Sequence, residues 1–186
     1  MTDRDFPLPD NLPRPVDDGA ADHLTGKALP NLPLPSTDAR VIVLADLGQP
    51  RTVLYVYPMT GRPGVALPEG WDLIPGARGC TPESCAFRDN HAELQAAGAD
   101  VYGLSSQSSD YQKEAVTRLH LPFPLLSDET LSLADALRLP TFTVDGIRRF
   151  TRLTMVIAHG VIEHVFYPIF PPDQHADEVL GWLREN

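Results

Sequence analysis

The chain of 186 residues is long enough for one domain with a sizeable core, and 42% of its residues are hydrophobic, as in ordinary globular proteins. Its net charge of −10, from 15 basic and 25 acidic residues, argues against nucleic acid or an anionic membrane as a partner. No window approaches the roughly 18 apolar residues of a membrane-spanning helix, and residues 1–5 lack the pattern of a secretory signal. We therefore expect a cytoplasmic protein, in which paired cysteines are more often catalytic, redox-sensing or metal-binding than structural.

Proline punctuates the first part of the chain. Residues 1–38 contain seven prolines, which exclude a long helix or a central strand, so we expect an extended N-terminal arm draped over a domain that spans residues 39–186. The elements predicted next are strands at 41–44 and 52–57, a loop rich in glycine and proline at 58–79, a helix from Thr81 to about Ala97, a strand at 100–105, a helix capped by Ser109 that ends near Leu119, a strand at 125–126, a helix at 131–137, a hairpin formed by 152–157 and 161–165, and a helix at 173–184. Strands alternating with helices before a C-terminal hairpin predict an α/β fold, with a mixed sheet and helices on both faces.

The only two cysteines of the sequence, Cys80 and Cys85, lie five positions apart. Thr81-Pro82-Glu83 between them is typical of a helix start, where proline is tolerated and an acidic residue complements the helix dipole. If the helix continues through Cys85, the two Cα atoms are separated by about 7.5 Å along its axis, whereas a disulfide needs Cα atoms within roughly 7 Å. The pair can bond only after the first turn unwinds, which is the property of a switchable redox couple.

The predicted position of Cys80, just before the helix, favours a thiolate, to which the nearby Arg78 and Arg88 could contribute. A thiolate attacks peroxide oxygen and becomes a sulfenic acid, which a second thiol condenses to a disulfide. Two alternatives stay open at this point: two unrelated buried thiols, and a zinc site, for which the spacing is unusual. The six histidines make no metal-type spacing with the cysteines, and we expect them to be structural or solvated.

The segment around the cysteines resembles a known family. Gly79-Cys80-Thr81-x-Glu83-x-Cys85-x-Phe87-Arg88-Asp89 is similar to the active-site segment of peroxiredoxins of the bacterioferritin comigratory protein, or Q, type. Four further segments resemble that family in the right order, at residues 26–35, 53–58, 121–128 and 152–157. With the hairpin that follows, the resemblance covers about residues 26–165.

This resemblance implies a thioredoxin-like fold, with a central mixed β-sheet flanked by helices, and a thiol peroxidase that reduces hydrogen peroxide and organic hydroperoxides. It implies that Cys80 is the peroxidatic cysteine, that Cys85 forms the disulfide with it, and that thioredoxin or a similar dithiol recycles the pair. Arg152 would lower the pKa of the Cys80 thiol and bind a peroxide oxygen. Glu83 matches a polar position of the motif, where a pocket role and an ordinary first-turn acid are both open. No metal, flavin or haem is implied, and family analogy suggests a monomer or weak dimer.

The sequence departs from the family before the peroxidatic cysteine. The family has Thr-Pro-Gly there, and this chain has Ala77-Arg78-Gly79, so the threonine hydroxyl that contacts peroxide is missing. Pro58 lies 22 positions before Cys80 rather than seven, which indicates an insertion of about 15 residues around 65–79. Either Thr60 replaces the missing hydroxyl in the peroxide pocket, or the pocket works without it. These departures keep other functions open: a peroxide-responsive redox sensor or binding protein that uses the same disulfide without significant turnover, or a purely structural role.

Overall fold

A five-stranded mixed sheet lies at the centre of the computed structural model, which describes residues 7–186. The strands are β1 (Pro33–Pro35), β2 (Val41–Val43), β3 (Arg51–Val56), β4 (Ala99–Ser105), β5 (Leu125–Ser127), β6 (Thr141–Val144), β7 (Ile147–Phe150), β8 (Leu153–Ala158) and β9 (Val161–Phe166). The helices are α1 (Cys80–Asp89), α2 (His91–Ala96), α3 (Ser109–Leu119), α4 (Ser132–Leu137) and α5 (His175–Glu185), with short 3-10 turns at Leu44–Asp46, Trp71–Leu73 and Pro172–Gln174. None of the helices in the described range is long and apolar enough to cross a membrane.

The central sheet has the strand order β5-β4-β3-β8-β9. Strand β3 runs parallel to β4 and antiparallel to β8, so parallel and antiparallel pairings meet on one strand. Successive residues of β3 are buried on opposite faces: Val53 and Tyr55 pack with α1, α3 and α5, whereas Leu54 and Val56 pack with α4 and the N-terminal segment. A strand covered on both faces needs a continuous apolar run, which is what the sequence has here. The predicted mixed sheet and thioredoxin-like fold are confirmed.

The N-terminal segment covers the face of the sheet that α4 leaves open. Leu24, Leu29 and Leu34 are buried there, at 0%, 5% and 4% exposure. Strand β1 pairs antiparallel with β2, and a single bridge from Ala28 to Val161 joins the segment to β9. Residues 1–6 of the predicted arm lie outside the described part of the chain. The arm and its boundary at residue 38 stay a prediction, since the buried leucines also belong to the core of the domain.

The single helix predicted from Thr81 to Ala97 is wrong in two respects. The helix begins one residue earlier, at Cys80, because Gly79 is its N-cap, with a positive φ of 110° that favours glycine. It also breaks at Asn90, which separates α1 from α2. The Asn90 side chain donates a hydrogen bond to the Ala86 carbonyl over 3.0 Å, an example of the local side-chain bonding through which asparagine competes with helix continuation.

Two further local predictions differ from the structure. Ser108, and not Ser109, caps α3, and its hydroxyl accepts a hydrogen bond from the Tyr111 N–H over 3.2 Å. The β6–β7 hairpin was not predicted, although Asp145-Gly146 at its turn is a strong hairpin signal. Both turn residues have positive φ, 50° and 71°. The hairpin matters for function because the short segment after β7 carries Arg152.

Candidate active site

The two cysteines lie in α1, which follows the long loop between β3 and the helix. Neither is in a disulfide, and they are only 3% and 2% exposed. Cys80 is the first residue of the helix, and Cys85 is half-way along it. The Glu83 N–H donates to the Gly79 carbonyl over 3.0 Å and so closes the first turn. While that turn is intact, the helical rise keeps the two Cα atoms about 7.5 Å apart along the axis.

Arg152 contacts Cys80 from the segment between β7 and β8. Its Nη2 donates to Cys80 Sγ over 3.2 Å, and its Nη1 is paired with the carboxylate of Glu83. All three side chains are buried, with Arg152 at 2% exposure and Glu83 at 0%. The structure thus brings together three of the predicted site residues from two distant parts of the chain.

The same guanidinium holds the end of the loop that precedes α1. Arg152 donates to the backbone carbonyls of Gly76 over 3.3 Å, Ala77 over 3.2 Å and Arg78 over 3.3 Å. Two of these carbonyls, those of Ala77 and Arg78, lie at the first two positions where the family has Thr-Pro-Gly. Arg152 therefore holds the end of the insertion and also contacts the Cys80 thiol.

The electrostatics of Cys80 combine opposing effects. Burial raises the pKa of the Cys80 thiol, the Arg152 guanidinium acts against burial, and the Glu83 carboxylate adds to it. The backbone N–H of Met59 also favours the thiolate. The pKa of Cys80 stays above its ordinary value, and the thiol donates to the Ala77 carbonyl over 3.6 Å. The sequence pointed to a thiolate at a helix start, but burial outweighs that effect in the resting site.

Burial and two neighbouring side chains act on the carboxyl group of Glu83 in opposite directions. Burial raises the pKa of its carboxyl group, against the attraction of Arg152 and of His175. Its Oε1 atom is buried and accepts no hydrogen bond from any described residue. The carboxylate that pairs with Arg152 is therefore held by one strong contact, and this side chain is part of the site rather than a solvated first-turn acid.

Thr60 is buried beside a glutamine, at 1% exposure. Its backbone N–H and hydroxyl both donate to Gln107 Oε1, over 2.9 and 3.3 Å, and Gln107 Nε2 donates back to the Thr60 carbonyl over 3.0 Å. Among the described residues that line the cavity at Cys80, its neighbours Met59 and Gly61 are present and Thr60 is not. The role predicted for this hydroxyl in peroxide binding stays a prediction.

His175 is a site neighbour that the sequence did not reveal. It is 1% exposed at the start of α5, where its Nε2 lies 2.9 Å from Thr154 Oγ1 and its Nδ1 lies 2.9 Å from Glu178 Oε2. It also acts against burial, which raises the pKa of the Glu83 carboxyl group. Only the three-residue spacing of His175 and Glu178 in a predicted helix could have indicated this pair, and that spacing is common.

A cavity of about 460 Å³ opens at Cys80. The loop before α1, the start of α1, Arg118 of α3 and the N-terminal segment at Leu8 all line it. Within residues 7–186, no group of three or more histidine, cysteine, aspartate or glutamate side chains is arranged to hold a metal ion. The polar side chains that line the cavity are those of Cys80 and Thr81 and of three arginines, Arg62, Arg78 and Arg118.

Comparison with known proteins agrees with this geometry. Residues 24–180 match the family model described as Redoxin. The chain is 34% identical over 167 residues to peroxiredoxin Bcp of Escherichia coli strain K12, covering 87% of this chain and 96% of that protein. It is 31% identical over 163 residues to the chloroplastic peroxiredoxin Q of Oryza sativa subsp. japonica, covering 86% and 66%. The crystal structure of peroxidoxin BcpB from Mycobacterium tuberculosis is similar, with a TM-score of 0.69, 27% identity and coverage of 87% and 97%. The chain belongs to the redoxin family, as a peroxiredoxin of the bacterioferritin comigratory protein, or Q, type.

Proposed function

We propose that this peroxiredoxin reduces hydrogen peroxide and organic hydroperoxides with Cys80 as the peroxidatic thiol and Cys85 as the resolving thiol. The observation that carries the proposal is the 3.2 Å contact from Arg152 Nη2 to the Sγ of Cys80, a residue that lines the cavity. A guanidinium in this position stabilises a thiolate, the form of cysteine that attacks peroxide. The family relationship supports the same chemistry.

In the first step, the Cys80 thiolate attacks one oxygen of the hydroperoxide. The O–O bond breaks, a sulfenic acid forms on Cys80, and the other oxygen leaves as an alcohol or water after taking up the thiol proton. Arg152 is placed to stabilise the negative charge that moves from sulfur to the leaving oxygen.

In the second step, Cys85 attacks the sulfur of the sulfenic acid. A disulfide forms and water leaves, but the two residues can approach only when the first turn of α1 unwinds and the Glu83 N–H releases the Gly79 carbonyl. A dithiol protein of the thioredoxin kind then reduces the disulfide by thiol–disulfide exchange. The two cysteines supply both electrons that reduce the peroxide, and the dithiol protein returns them, so the cycle needs no metal, flavin or haem.

The setting that we propose for this activity is the cytoplasm, with the protein acting as a monomer or weak dimer. The acidic net charge of −10 supports a cycle without a nucleic acid or membrane partner. A reducing compartment would also supply the dithiol that the cycle needs.

The test mixes the reduced protein with one equivalent of hydrogen peroxide and maps the disulfide by mass spectrometry. We expect a Cys80–Cys85 disulfide in the native protein and no turnover in Cys80→Ser. Cys85→Ser should complete the first step and accumulate a sulfenic acid that dimedone labels. The proposal fails if both thiols of the native protein stay reduced.

The raised pKa of Cys80 favours one alternative, a peroxide sensor that oxidises slowly and does not turn over. Sustained consumption of peroxide in the presence of thioredoxin and its reductase supports the enzyme. Formation of one disulfide without continued consumption supports the sensor.

A further inference from the structure

The cavity at Cys80 is much larger than hydrogen peroxide requires. Its volume of about 460 Å³ is typical of sites for organic molecules. Leu8, Met59, Val65 and Leu67 contribute apolar wall, together with Trp71, which is 3% exposed and packs on Phe142 with ring centroids 5.9 Å apart. The cavity therefore has room for an apolar substrate body beside the thiol.

The charged residues of this cavity are all basic. Arg62, Arg78 and Arg118 line it, and no described aspartate or glutamate does. Asp72 pairs with Arg78 over 2.9 Å, but Glu114 is the carboxylate partner of both others, 2.7 Å from Arg118 Nε and 3.7 Å from Arg62 Nε. Three guanidinium groups thus share two carboxylates. The excess positive charge is notable in a protein with a net charge of −10.

Arg62 makes the weakest contacts within the protein of the three arginines. A guanidinium has five N–H groups, and within residues 7–186 the hydrogen bond of Arg62 is one weak contact from Nη2 to the Tyr111 carbonyl, over 3.4 Å. Its Nε is buried without a hydrogen-bond acceptor among the described residues. The Tyr111 ring lies 3.9 Å from the guanidinium carbon and holds the group in place. Since the side chain is 34% exposed, a ligand in the cavity can reach it.

Arg118 differs from Arg62 in this respect. Its Nε and Nη2 both donate to Glu114, and Nη2 also donates to the Gly61 carbonyl over 3.0 Å. Arg118 therefore fixes the start of the loop and occupies Glu114. This leaves Arg62 as the arginine least engaged with a carboxylate, since its contact with Glu114 is 3.7 Å whereas Arg78 pairs with Asp72 over 2.9 Å.

We propose that Arg62 forms an anion-recognition subsite of the peroxide cavity, and that the preferred organic substrates are hydroperoxides with an apolar body and a carboxylate. This inference rests on the proposed peroxidase function and deepens it. The carboxylate pairs with the Arg62 guanidinium, the body lies against Leu67 and Trp71, and the hydroperoxide group reaches Cys80. Such a pairing supplies charge-assisted hydrogen bonds that a neutral hydroperoxide cannot make.

The loop that distinguishes this chain from its family builds the subsite. Val65, Leu67 and Trp71 lie in the insertion, and Arg62 lies just before it in the same loop, between the end of β3 and the start of α1. A short connection at this point would leave the thiol in a shallower site. We infer that the insertion adds substrate selectivity and leaves the sulfur chemistry to α1 and Arg152.

The test compares the hydroperoxide of an unsaturated fatty acid with that of its methyl ester, both below their micelle concentrations. The pair shares its body and its reactive group and differs in the charge. We expect the native protein to show kcat/KM about 5- to 10-fold higher for the acid, the scale of a partly exposed charge-assisted contact. Arg62→Met should bring the ratio of acid to ester close to one, and Arg62→Lys should keep part of it. Arg40→Gln is the matched control, because Arg40 is exposed and pairs with Asp38 outside the cavity.

A binding measurement separates this inference from the proposed function. The hydroxy acid product and its methyl ester are titrated into Cys80→Ser, with and without Arg62→Met, and followed by calorimetry. Tighter binding of the acid that is lost with Arg62→Met supports the subsite, even if the native protein fails to turn over any peroxide and the peroxidase proposal falls. Equal binding of acid and ester, or a preference that survives Arg62→Met, overturns the subsite.

Discussion

The Nη2 atom of Arg152 lies 3.2 Å from Sγ of Cys80, although 72 positions separate the two residues. The guanidinium is also paired with the buried carboxylate of Glu83, so the arginine is already neutralised while Cys80 is a thiol. Ionising the thiol would place a second negative charge against one cation in a buried site. Burial is the main cause of the raised pKa of Cys80, and the Glu83 carboxylate adds to it, so the contact with Arg152 does not bring that pKa down to its ordinary value.

This three-residue arrangement predicts opposite effects for two substitutions. Glu83→Gln removes the competing negative charge and should lower the pKa of Cys80, because the thiolate becomes the main partner of Arg152. Arg152→Met removes the cation and should raise that pKa further. The measurement is the pH dependence of Cys80 alkylation by iodoacetamide, with Cys85→Ser as the common background. The explanation is wrong if both variants shift the alkylation midpoint in the same direction.

The raised pKa of Cys80 also predicts how reactivity depends on pH. The thiolate fraction should keep increasing through the ordinary thiol pKa of about 8.5 and above it, so the rate of oxidation by hydrogen peroxide should rise steadily between about pH 7 and pH 9.5. Stopped-flow tryptophan fluorescence can follow this step. A rate that is already constant from about pH 6 would show that the resting site holds a thiolate.

Stability has a matching dependence on pH. Because burial raises the folded-state pKa of Cys80, the thiol's contribution to stability is complete below the unfolded pKa of about 8.5 and is lost as pH rises through the folded value. Urea unfolding between pH 7 and pH 10 should therefore show a steeper loss in the native protein than in Cys80→Ser. The buried Tyr55 and Tyr57, whose pKa values burial also raises, are present in both proteins and cancel in the comparison. Parallel curves would contradict the expectation.

The sequence was informative where function depends on local patterns. The spacing of Cys80 and Cys85 predicted that a helical turn separates the thiols, and family resemblance singled out Arg152 from far along the chain. It was less informative where the outcome depends on burial by distant segments. The thiolate expected from a helix start ignored the enclosed position of Cys80 and the burial of the Glu83 carboxylate beside it, neither of which a local pattern reveals.

The cavity was also beyond the sequence analysis. Trp71 lies in the segment that the sequence identified only as an insertion, and its contact with Phe142 joins that loop to β6, which was itself not predicted. The position of Leu8 depends on how the N-terminal segment runs over the completed domain. Such long-range contacts follow from the fold as a whole and leave no periodic signal in the sequence.

A side chain at Gly79, the residue before α1, should destabilise the protein. A Cβ at this residue would clash with Pro172 Cγ and lie 3.1 Å from Leu8 Cδ2, and φ is +110°. Gly79→Ala should therefore lose about 2 kcal/mol or more of stability, the sum of a left-handed conformation and a clash with a rigid ring. Gly98→Ala is the matched control, since its φ is +85° and its Cβ would meet nothing within 4 Å. Urea unfolding should show the larger loss for Gly79→Ala, and equal losses would mean that the neighbouring chain yields.

We expect the N-terminal segment, through Leu8, to slow the formation of the Cys80–Cys85 disulfide. It packs toward Gly79 and lines the cavity, and Arg14 fixes the same segment on Phe170 with its guanidinium carbon 4.9 Å from the ring centroid. The first turn of α1 must move before Cys80 can meet Cys85, and that motion has to displace Leu8. Leu8→Ala should therefore speed disulfide formation after oxidation by about two- to fivefold, because part of an apolar side chain no longer has to be exposed.

Stopped-flow fluorescence can resolve this second phase from the first oxidation. Val16→Ala is a suitable control, because Val16 is 80% exposed in the same segment and should leave the rate as it is in the native protein. If Leu8→Ala and Val16→Ala form the disulfide at the same rate as the native protein, the segment lies over the site without restraining it. The start of α1 would then be limited by its own hydrogen bonds and by Pro172 alone.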